Sequence, residues 1–369
     1  MKQGRTLLEL GTELDRQRKA RKDYIADTRN LEVETTGRNT VLSISLDNAM
    51  EKFVLNELAH QQIASRLQIP YRYYQKMREE YPSLLDDNIN SWFMKAPEKR
   101  MIRTLDNNVR AFLSDRYRRL DHLELCGAVL PVIQEMKGAE VISCDVTETH
   151  LYLKVLNKKL KAEVAVGDQV QAGIVISNSE VGLGSLKVEP LVFRLVCKNG
   201  LIVKDFTQKR YHVGKQVETD DPAYELYSEE TLRADDKAFF MKIQDTVRAA
   251  VDEAKFNLSV EKLRTAANEP TGPDPIKTVE LLADKYILSQ SEQGSILRYF
   301  LMGRDSSRYG LINAVTRSSQ DEADYNRATE LERLGGELLA LPLQRMLSAP
   351  SREPVMRNVT HLAKRLEMA

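Results

Sequence analysis

Cysteine is scarce in this chain, and the scarcity excludes two ways of building a fold. Cys126, Cys144 and Cys197 stand alone with no Cys-x-x-Cys spacing, so neither a zinc site nor a disulfide framework is expected, and a reduced, cytoplasmic setting is. Histidine is equally thin: His60, His122, His150, His212 and His361 are scattered, and there is neither a His-Glu-x-x-His pair nor a serine elbow. Gly182-x-Gly184 is too short for a phosphate loop. The expectation is therefore no catalytic residues, no cofactor and no resident metal. No stretch approaches the roughly 18 apolar residues of a membrane span, and Met1 is followed by Lys2, Arg5, Glu9 and Asp15, so neither a membrane nor an export signal is expected. Excess charge is missing too, since 54 Lys plus Arg balance 54 Asp plus Glu. Attraction to a polyanion must come from how charge is distributed.

What is present is a mixed pattern on 369 residues, enough for two or three domains or one domain with helical additions. Leu7, Leu8 and Leu10 ahead of Arg16-Gln17-Arg18-Lys19 predict a short helix ending in a basic run, either a solvated helix end or a binding arm. Residues 31–46 alternate around Gly37-Arg38-Asn39 and predict a β-hairpin. Ala59, Ile63 and Leu67 predict a helix that Ile69-Pro70 breaks before a second one. That pair is an ordinary helical hairpin, or a helix-turn-helix presenting Arg72, Gln75 and Lys76. Leu84, Leu85, Ile89, Trp92 and Phe93 predict a further helix with the single Trp in the core.

Residues 101–114 read as two strands about an Asp106-Asn107-Asn108 turn, and 123–136 as a helix. Strand-like runs follow at 140–146, 150–155, 163–166, 170–176 and 191–196. Acidic residues then gather from Glu218 to Asp236, ahead of a helix whose seam is Phe240, Ile243, Val247, Val251 and Ala254. That seam packs on its own sheet or on a second subunit, which leaves a homo-oligomer open. Pro270-Thr271-Gly272-Pro273-Asp274-Pro275 reads as a linker into a helical C-terminal part. The expected fold is α+β. It comprises a hairpin and helical region over 1–98, a central, mainly antiparallel sheet domain over 99–215, an acidic stretch with a long helix over 216–268, and a helical domain over 269–369.

Two features carry chemistry. Asn178-Ser179-Glu180 beside Gly182 predicts a turn braced by side-chain hydrogen bonds at a sheet rim. Cations also crowd two segments. Arg100, Arg103, Arg110, Arg116, Arg118 and Arg119 form one, and Lys187, Arg194, Lys198, Lys204, Lys209, Arg210 and Lys215 the other. Tyr117 and Tyr211 sit among them, the mixture that single-stranded nucleic acid uses when bases stack and cations track phosphates. Strand alternation could place these side chains on one face; alternatively they only solvate it. A metal-dependent nuclease built on Asp115 and Glu180, with Asp121 and Glu189 near, is a second possibility. A third is a module that binds a host or phage protein through the acidic stretch or the seam.

Several motifs resemble the phage- and plasmid-encoded family with domain of unknown function 932. These are Ala59-His60-Gln61-Gln62-Ile63-Ala64 through Ile69-Pro70-Tyr71, Arg110-Ala111-Phe112-Leu113-Ser114-Asp115-Arg116-Tyr117, Asn178-Ser179-Glu180-Val181-Gly182, Arg194-Leu195-Val196-Cys197-Lys198-Asn199-Gly200, and Tyr309-Gly310-Leu311-Ile312-Asn313-Ala314-Val315-Thr316-Arg317. The resemblance runs from about Leu46 to Leu341 and implies an accessory role in DNA metabolism or defence evasion, with no catalytic residues to carry over. Ser114 to Tyr117, Asn178 to Gly182 and Arg194 to Gly200 are thus expected to converge on one rim of one sheet. The leading expectation is non-enzymatic binding of single-stranded DNA.

Overall fold

Two antiparallel-rich sheets, each dressed with helices, divide the strands between them. The structure is a computed structural model that describes residues 1–37, 39–46, 49–117, 119–203, 229–250 and 252–342. After helix α1 (Leu7–Ala20) come strands β1 (Lys22–Asp27), β2 (Leu31–Thr36), β3 (Asn39–Leu46) and β4 (Ala49–Leu55). Helices α2 (Glu57–Arg66), α3 (Tyr71–Glu80) and α4 (Pro82–Lys95) lead to a hairpin of β5 (Lys99–Leu105) and β6 (Asn108–Ser114). These strands form one six-stranded sheet in the order β1-β5-β6-β4-β3-β2. The sequence groups residues 99–114 with the later strands. Instead the β5–β6 hairpin is inserted between β1 and β4, because β4 offers β6 a parallel edge at Val54 and Leu55.

The three helices cover one face of this sheet, with Ile63, Tyr74, Met77, Leu85, Ile89 and Phe93 packed on Leu42, Ile44, Phe53, Ile102 and Phe112. In α4, Leu85, Ile89 and Phe93 recur every four residues and claim the inward face. Trp92 is one position out of phase and is 49% exposed, not in the core as its hydrophobicity suggests. The edge of β2 is also closed by α4. Asn90 accepts from the Val33 N–H (2.8 Å) and donates to its C=O (2.9 Å), and Asp86 accepts from the Thr35 N–H (2.7 Å), so side chains take the place of a missing strand.

Helix α5 (His122–Glu135) precedes β7 (Ala139–Val146), β8 (Leu151–Ala165), β9 (Asp168–Asn178), β10 (Lys187–Arg194) and β11 (Asn199–Ile202), which form a five-stranded antiparallel sheet in the order β11-β10-β9-β8-β7. The remaining described helices are α6 (Glu229–Ala250), α7 (Glu253–Ala267), α8 (Pro275–Tyr286), α9 (Gln290–Gly303), α10 (Arg308–Ser318) and α11 (Tyr325–Ala340). The fold is α+β. The long helix expected through Ala254 is two helices, with Asp252 capping the second through the Lys255 N–H at 3.0 Å. Ile243 and Val247 of the seam are buried within the chain, among Leu10 and Leu14 of α1 and Leu125, Val129 and Val132 of α5.

Among the described residues both faces of the second sheet are covered around β9. Ile174 and Ile176 of β9 join the cluster under α1, α5 and α6. On the opposite side Arg333 of α11 reaches Ser177 (3.0 Å) and Glu189 (2.6 Å), and the fully buried Lys154 and Glu332 pair at 2.7 Å. The unbroken apolar run Ala172-Gly173-Ile174-Val175-Ile176 is the signature of a strand covered on both faces. Helix α11 comes so close that a Cβ on Gly336 would lie 1.8 Å from the Ile202 carbonyl oxygen. No helix among the described residues is long and apolar enough to cross a membrane.

Candidate functional site

The Asn178 to Gly182 loop is where the two sheets meet. It leaves the end of β9 and is braced as the sequence suggests, with Ser179 Oγ accepting from the Val181 (3.3 Å) and Leu183 (3.2 Å) N–H groups and Gly182 at a φ of 79°. Every other contact of the loop runs to a distant element. Gln62 of α2 donates to the Val181 carbonyl (2.8 Å) and accepts from the Phe112 N–H (2.7 Å), tying loop, helix and β6 together. Arg103 of β5 donates to the Glu180 carbonyl at 2.9 Å, and Tyr117 donates through its hydroxyl to the Ser179 carbonyl at 3.2 Å. Asn178 donates to the Leu120 carbonyl at 3.0 Å.

The charges at this junction balance. Arg103, fully buried, reaches Asp23 (3.1 Å) and Asp121 (2.7 Å); Arg21 reaches Asp121 (2.6 Å); Arg110 of β6 pairs with Glu180. Among the inward groups three guanidiniums face three carboxylates, as burying this much charge requires, while the exposed Arg119 reaches Asp23 from the solvent side at 3.4 Å. The second oxygen of Glu180 accepts the His122 N–H at 2.5 Å, at the start of α5. Burial works against the charge on Glu180, but His122, Arg110 and Arg103 outweigh it and hold its carboxyl down at about 2. Burial pushes the His122 ring down to about 4, so it is neutral at ordinary pH, and pushes the Tyr117 hydroxyl up to about 12.

Beside the junction opens a cleft of about 460 Å³ lined by α1 (Glu13, Arg16, Gln17), Arg5, Asn56, the β5–β6 turn (Leu105, Asp106, Asn108), Arg110, and the β7–β8 turn (Val146, Thr147, Glu148). Asp106 and Asn107 both adopt positive φ, 50° and 63°, as a two-residue hairpin turn demands of Asp-Asn. Arg16, in the cleft lining, donates to both Asp106 oxygens at 2.7 and 2.9 Å while Glu13 holds its other edge. Arg110 is only 7% exposed, and its Nε, also buried, has no hydrogen-bond partner. A second void of about 50 Å³ shares Arg110 and Gln17 with the cleft and is also lined by Glu180, Arg21, Asp121 and Glu124.

The motifs singled out in the sequence separate into two places. Ser114 to Tyr117 and Asn178 to Gly182 do meet, through Tyr117 and Ser179. Arg194 to Gly200 does not join them. Arg194 grips Asp168, at the far end of β9, with two 2.7 Å hydrogen bonds, and Tyr309 donates to the same carboxylate at 2.8 Å. Asp168 and Asn178 are the two ends of the eleven-residue strand β9, about 30 Å apart at strand rise. Cys197 Sγ accepts from Arg194 (3.3 Å), its carbonyl accepts from Arg317 (3.1 Å), and Asn199 donates to Thr316 (2.5 Å). The Lys198 carbonyl accepts from Gln320 at 3.1 Å, and Gly200 lies buried on Leu191. These contacts fasten the C-terminal helices to the sheet.

The single-strand surface drawn from the sequence is therefore corrected. Arg110, Tyr117 and Arg194 are held inside or in ion pairs, so they cannot form an open stacking face with Arg116, Arg119, Lys187 and Lys198. Arg119 is exposed, 3.4 Å from Asp23; Lys198 is exposed at the other end of the sheet; Arg116 and Lys187 are half-buried. Arg118, Lys209 and Arg210 lie outside the described residues, as does the acidic stretch up to residue 228. The carboxylates of the nuclease possibility are engaged separately. Glu180 is held by Arg110 and His122, Asp121 by Arg103 and Arg21, and Glu189 by Arg333, while Asp115 has the Ser114 hydroxyl at 3.3 Å. Among the described residues no three His, Cys, Asp or Glu side chains are placed to hold one metal ion.

Asp23 and Arg5 carry no signal in the sequence as site residues; Arg103 stands there only as one of the first cation cluster, Gln62 only within a family motif, and Arg16 and Gln17 only within the N-terminal basic run. A family model described as a domain of unknown function, DUF932, matches residues 111–329. No curated protein and no solved structure matches the chain.

Proposed function

The chain belongs to the DUF932 family, and we propose that it is a non-enzymatic nucleic-acid-binding protein that takes single-stranded DNA into the cleft instead of onto a sheet face. One observation carries this reading: Arg110 is a buried guanidinium with one arm on Glu180 and an unpartnered Nε, under a cavity of about 460 Å³. A buried N–H without a partner is costly, and a phosphate oxygen is a strong acceptor for a guanidinium. The volume suits a nucleotide-sized group. Arg5 and Arg16 stand at the walls, where a phosphate would compete with their carboxylate partners Asp145, Glu13 and Asp106, and Gln17, Asn56, Asn108 and Thr147 supply neutral hydrogen-bonding groups. No aromatic ring is among the described lining residues, so this reading rests on phosphate and amide contacts, not base stacking. We place this activity in the cytoplasm, in the service of a phage or plasmid, on the strength of the motif resemblance.

The test is fluorescence anisotropy of a labelled single-stranded oligonucleotide at low salt, with Arg5→Gln and Arg16→Gln variants. Binding that weakens in both variants and falls with added salt supports the reading. Affinity no greater than that of a neutral control protein refutes it.

A further inference from the structure

We infer that α2 and α3 form a helix-turn-helix that reads the major groove of duplex DNA through the exposed face of α3, a site apart from the cleft. The sequence allows this or an ordinary helical hairpin, and the lack of glycine in the turn speaks for the hairpin. The turn itself removes that objection. Residues 67–70 join the helices, and Gln68 holds the left-handed conformation that glycine usually supplies there, at a φ of 56°. Its N–H donates to the Ser65 carbonyl at 3.1 Å and the Ile69 N–H donates to the Ala64 carbonyl at 2.8 Å, the pair of bonds that ends a helix sharply and fixes where the chain goes next.

Contacts between the two helices show that they cross. An antiparallel pair on this turn would set Glu57 beside Glu80, in the last turn of α3, and His60 beside Met77. Instead Glu57 accepts from the Tyr71 hydroxyl in the first turn of α3, as well as from Arg78 at 3.1 Å, and His60 Nδ1 meets the Tyr74 hydroxyl at 2.8 Å. Helix α3 is swung across α2, not laid back along it. Helix α2 is the inner member, with Ala59, Ile63 and Ala64 buried in the core under the first sheet, and Tyr74 and Met77 turn the inner face of α3 to the same core. Arg72, Tyr73 and Lys76 are left exposed on the outer face, with Gln75 half-buried at its edge.

The chemistry of that face suits a duplex. Among the described residues Arg72 has no ion pair, and Lys76 has only Glu80 at 3.9 Å, an exposed contact of little worth. Arginine and glutamine carry the paired groups that match the guanine and adenine edges in the major groove, and lysine and tyrosine reach phosphates. Glu79 and Glu80 stand at the C-terminal end of α3, whereas it is the N-terminal part of a recognition helix that meets the bases. A protein partner would want an apolar centre with little charge, and this face offers a single tyrosine among charges.

The experiment selects ligands for the full chain at low salt from a duplex library with about 20 randomised base pairs, then measures the selected duplex by fluorescence anisotropy. A common core sequence should be enriched. Arg72→Ala and Lys76→Ala, both on the surface, should each weaken the selected duplex about tenfold, while the melting temperature and the affinity for a single strand hold. Arg72→Lys keeps the charge but not the fork, so it should keep the affinity for random duplex and lose the preference for the core. If no core is enriched, or if both alanine variants bind the selected duplex as the parent does, the inference fails. Duplex left unbound, while the same two alanines abolish capture of a protein from lysate, would overturn it too by making α3 a protein-binding face. The single-strand reading rests on the cleft and is decided by its own test in each case.

Discussion

Glu180→Gln isolates the charge of the pair that joins the sheets while keeping the side chain's shape. Both partners are buried, with side chains 9% and 6% exposed for Arg110 and Glu180, and the junction balances three guanidiniums against three carboxylates. Neutralising one carboxylate leaves an uncompensated buried cation, a change that costs about 3–5 kcal/mol when a buried pair is broken. Glutamine offers one acceptor oxygen where Arg110 and the His122 N–H use two, so its NH₂ is left donor against donor on one of them, which puts this variant toward the upper end, ~4 kcal/mol, or roughly a thousandfold in the unfolding constant. Arg110→Met in the same chain removes the stranded cation, so the double variant should recover part of the loss. Urea unfolding at pH 7.5, followed by far-ultraviolet circular dichroism and by fluorescence of Trp92, gives two probes. Trp92 reports only on the first sheet and its helices. Loss of the junction should shift both transitions and pull them apart, since each sheet keeps its own core. A shift below about 1 kcal/mol, or a double variant that costs the sum of the two singles, would refute the claim that this pair fastens the sheets.

Acidification should act through His122 and His60, both pushed down to about 4 by burial from an ordinary 6.5. The unfolded chain binds these protons first, so stability is full above pH 6.5 and is lost as pH falls toward 4, by about 2 kcal/mol per histidine between pH 7.5 and 5; thermal unfolding across that range checks it, and His122→Gln should flatten the profile. Glu180 adds a later loss, because its depressed value of about 2 makes its contribution full above pH 4.5 and spent only as pH falls through 2. Gln62→Ala strips the partner from the buried Phe112 N–H and Val181 carbonyl and should cost about 1–3 kcal/mol for each group left unsatisfied, read by urea midpoint. Gly336→Ala drives a methyl into the Ile202 carbonyl and should destabilise by at least about 1–3 kcal/mol, visible as lost hydrogen-exchange protection in β11; an unchanged protection pattern would contradict the close approach.

What could be read from the sequence was what local pattern dictates. The β2–β3 hairpin, the two helices on either side of Ile69-Pro70, and the Asp106-Asn107 turn all declare themselves within a dozen residues, and all are present. Strands β1 and β4 do not. Lys-Asp-Tyr-Ile-Ala-Asp and Ala-Met-Glu-Lys-Phe-Val-Leu lack clean alternation, and they become strands because tertiary pairing supplies what propensity does not. The site follows the same rule. Asn178-Ser179-Glu180 stands out because polar groups are rare beside a buried strand, but its partners are Arg110, Arg103 and Gln62, which lie 70, 77 and 119 residues away from the atoms they bind. A count of cations cannot tell an arginine spent on a buried carboxylate from one facing solvent. That is why two basic clusters looked like one surface.

The family match and the folding unit have different boundaries. The match opens at Ala111, in the middle of β6, whose neighbours β5 and β4 both precede it in the chain. Within the matched span, Glu180 would lose Arg110, the Val181 carbonyl would lose Gln62, and Asp121 would lose both Arg103 and Arg21. A span that begins there holds buried carboxylates whose countercharges come from the first sheet, so it depends on that sheet to fold as it does here. The cleft is still more lopsided, for only Val146, Thr147 and Glu148 of its lining fall inside the match. The junction is thus shared between matched and unmatched residues, while the chemistry offered to a ligand, Arg110 included, is almost wholly the contribution of the first 110 residues.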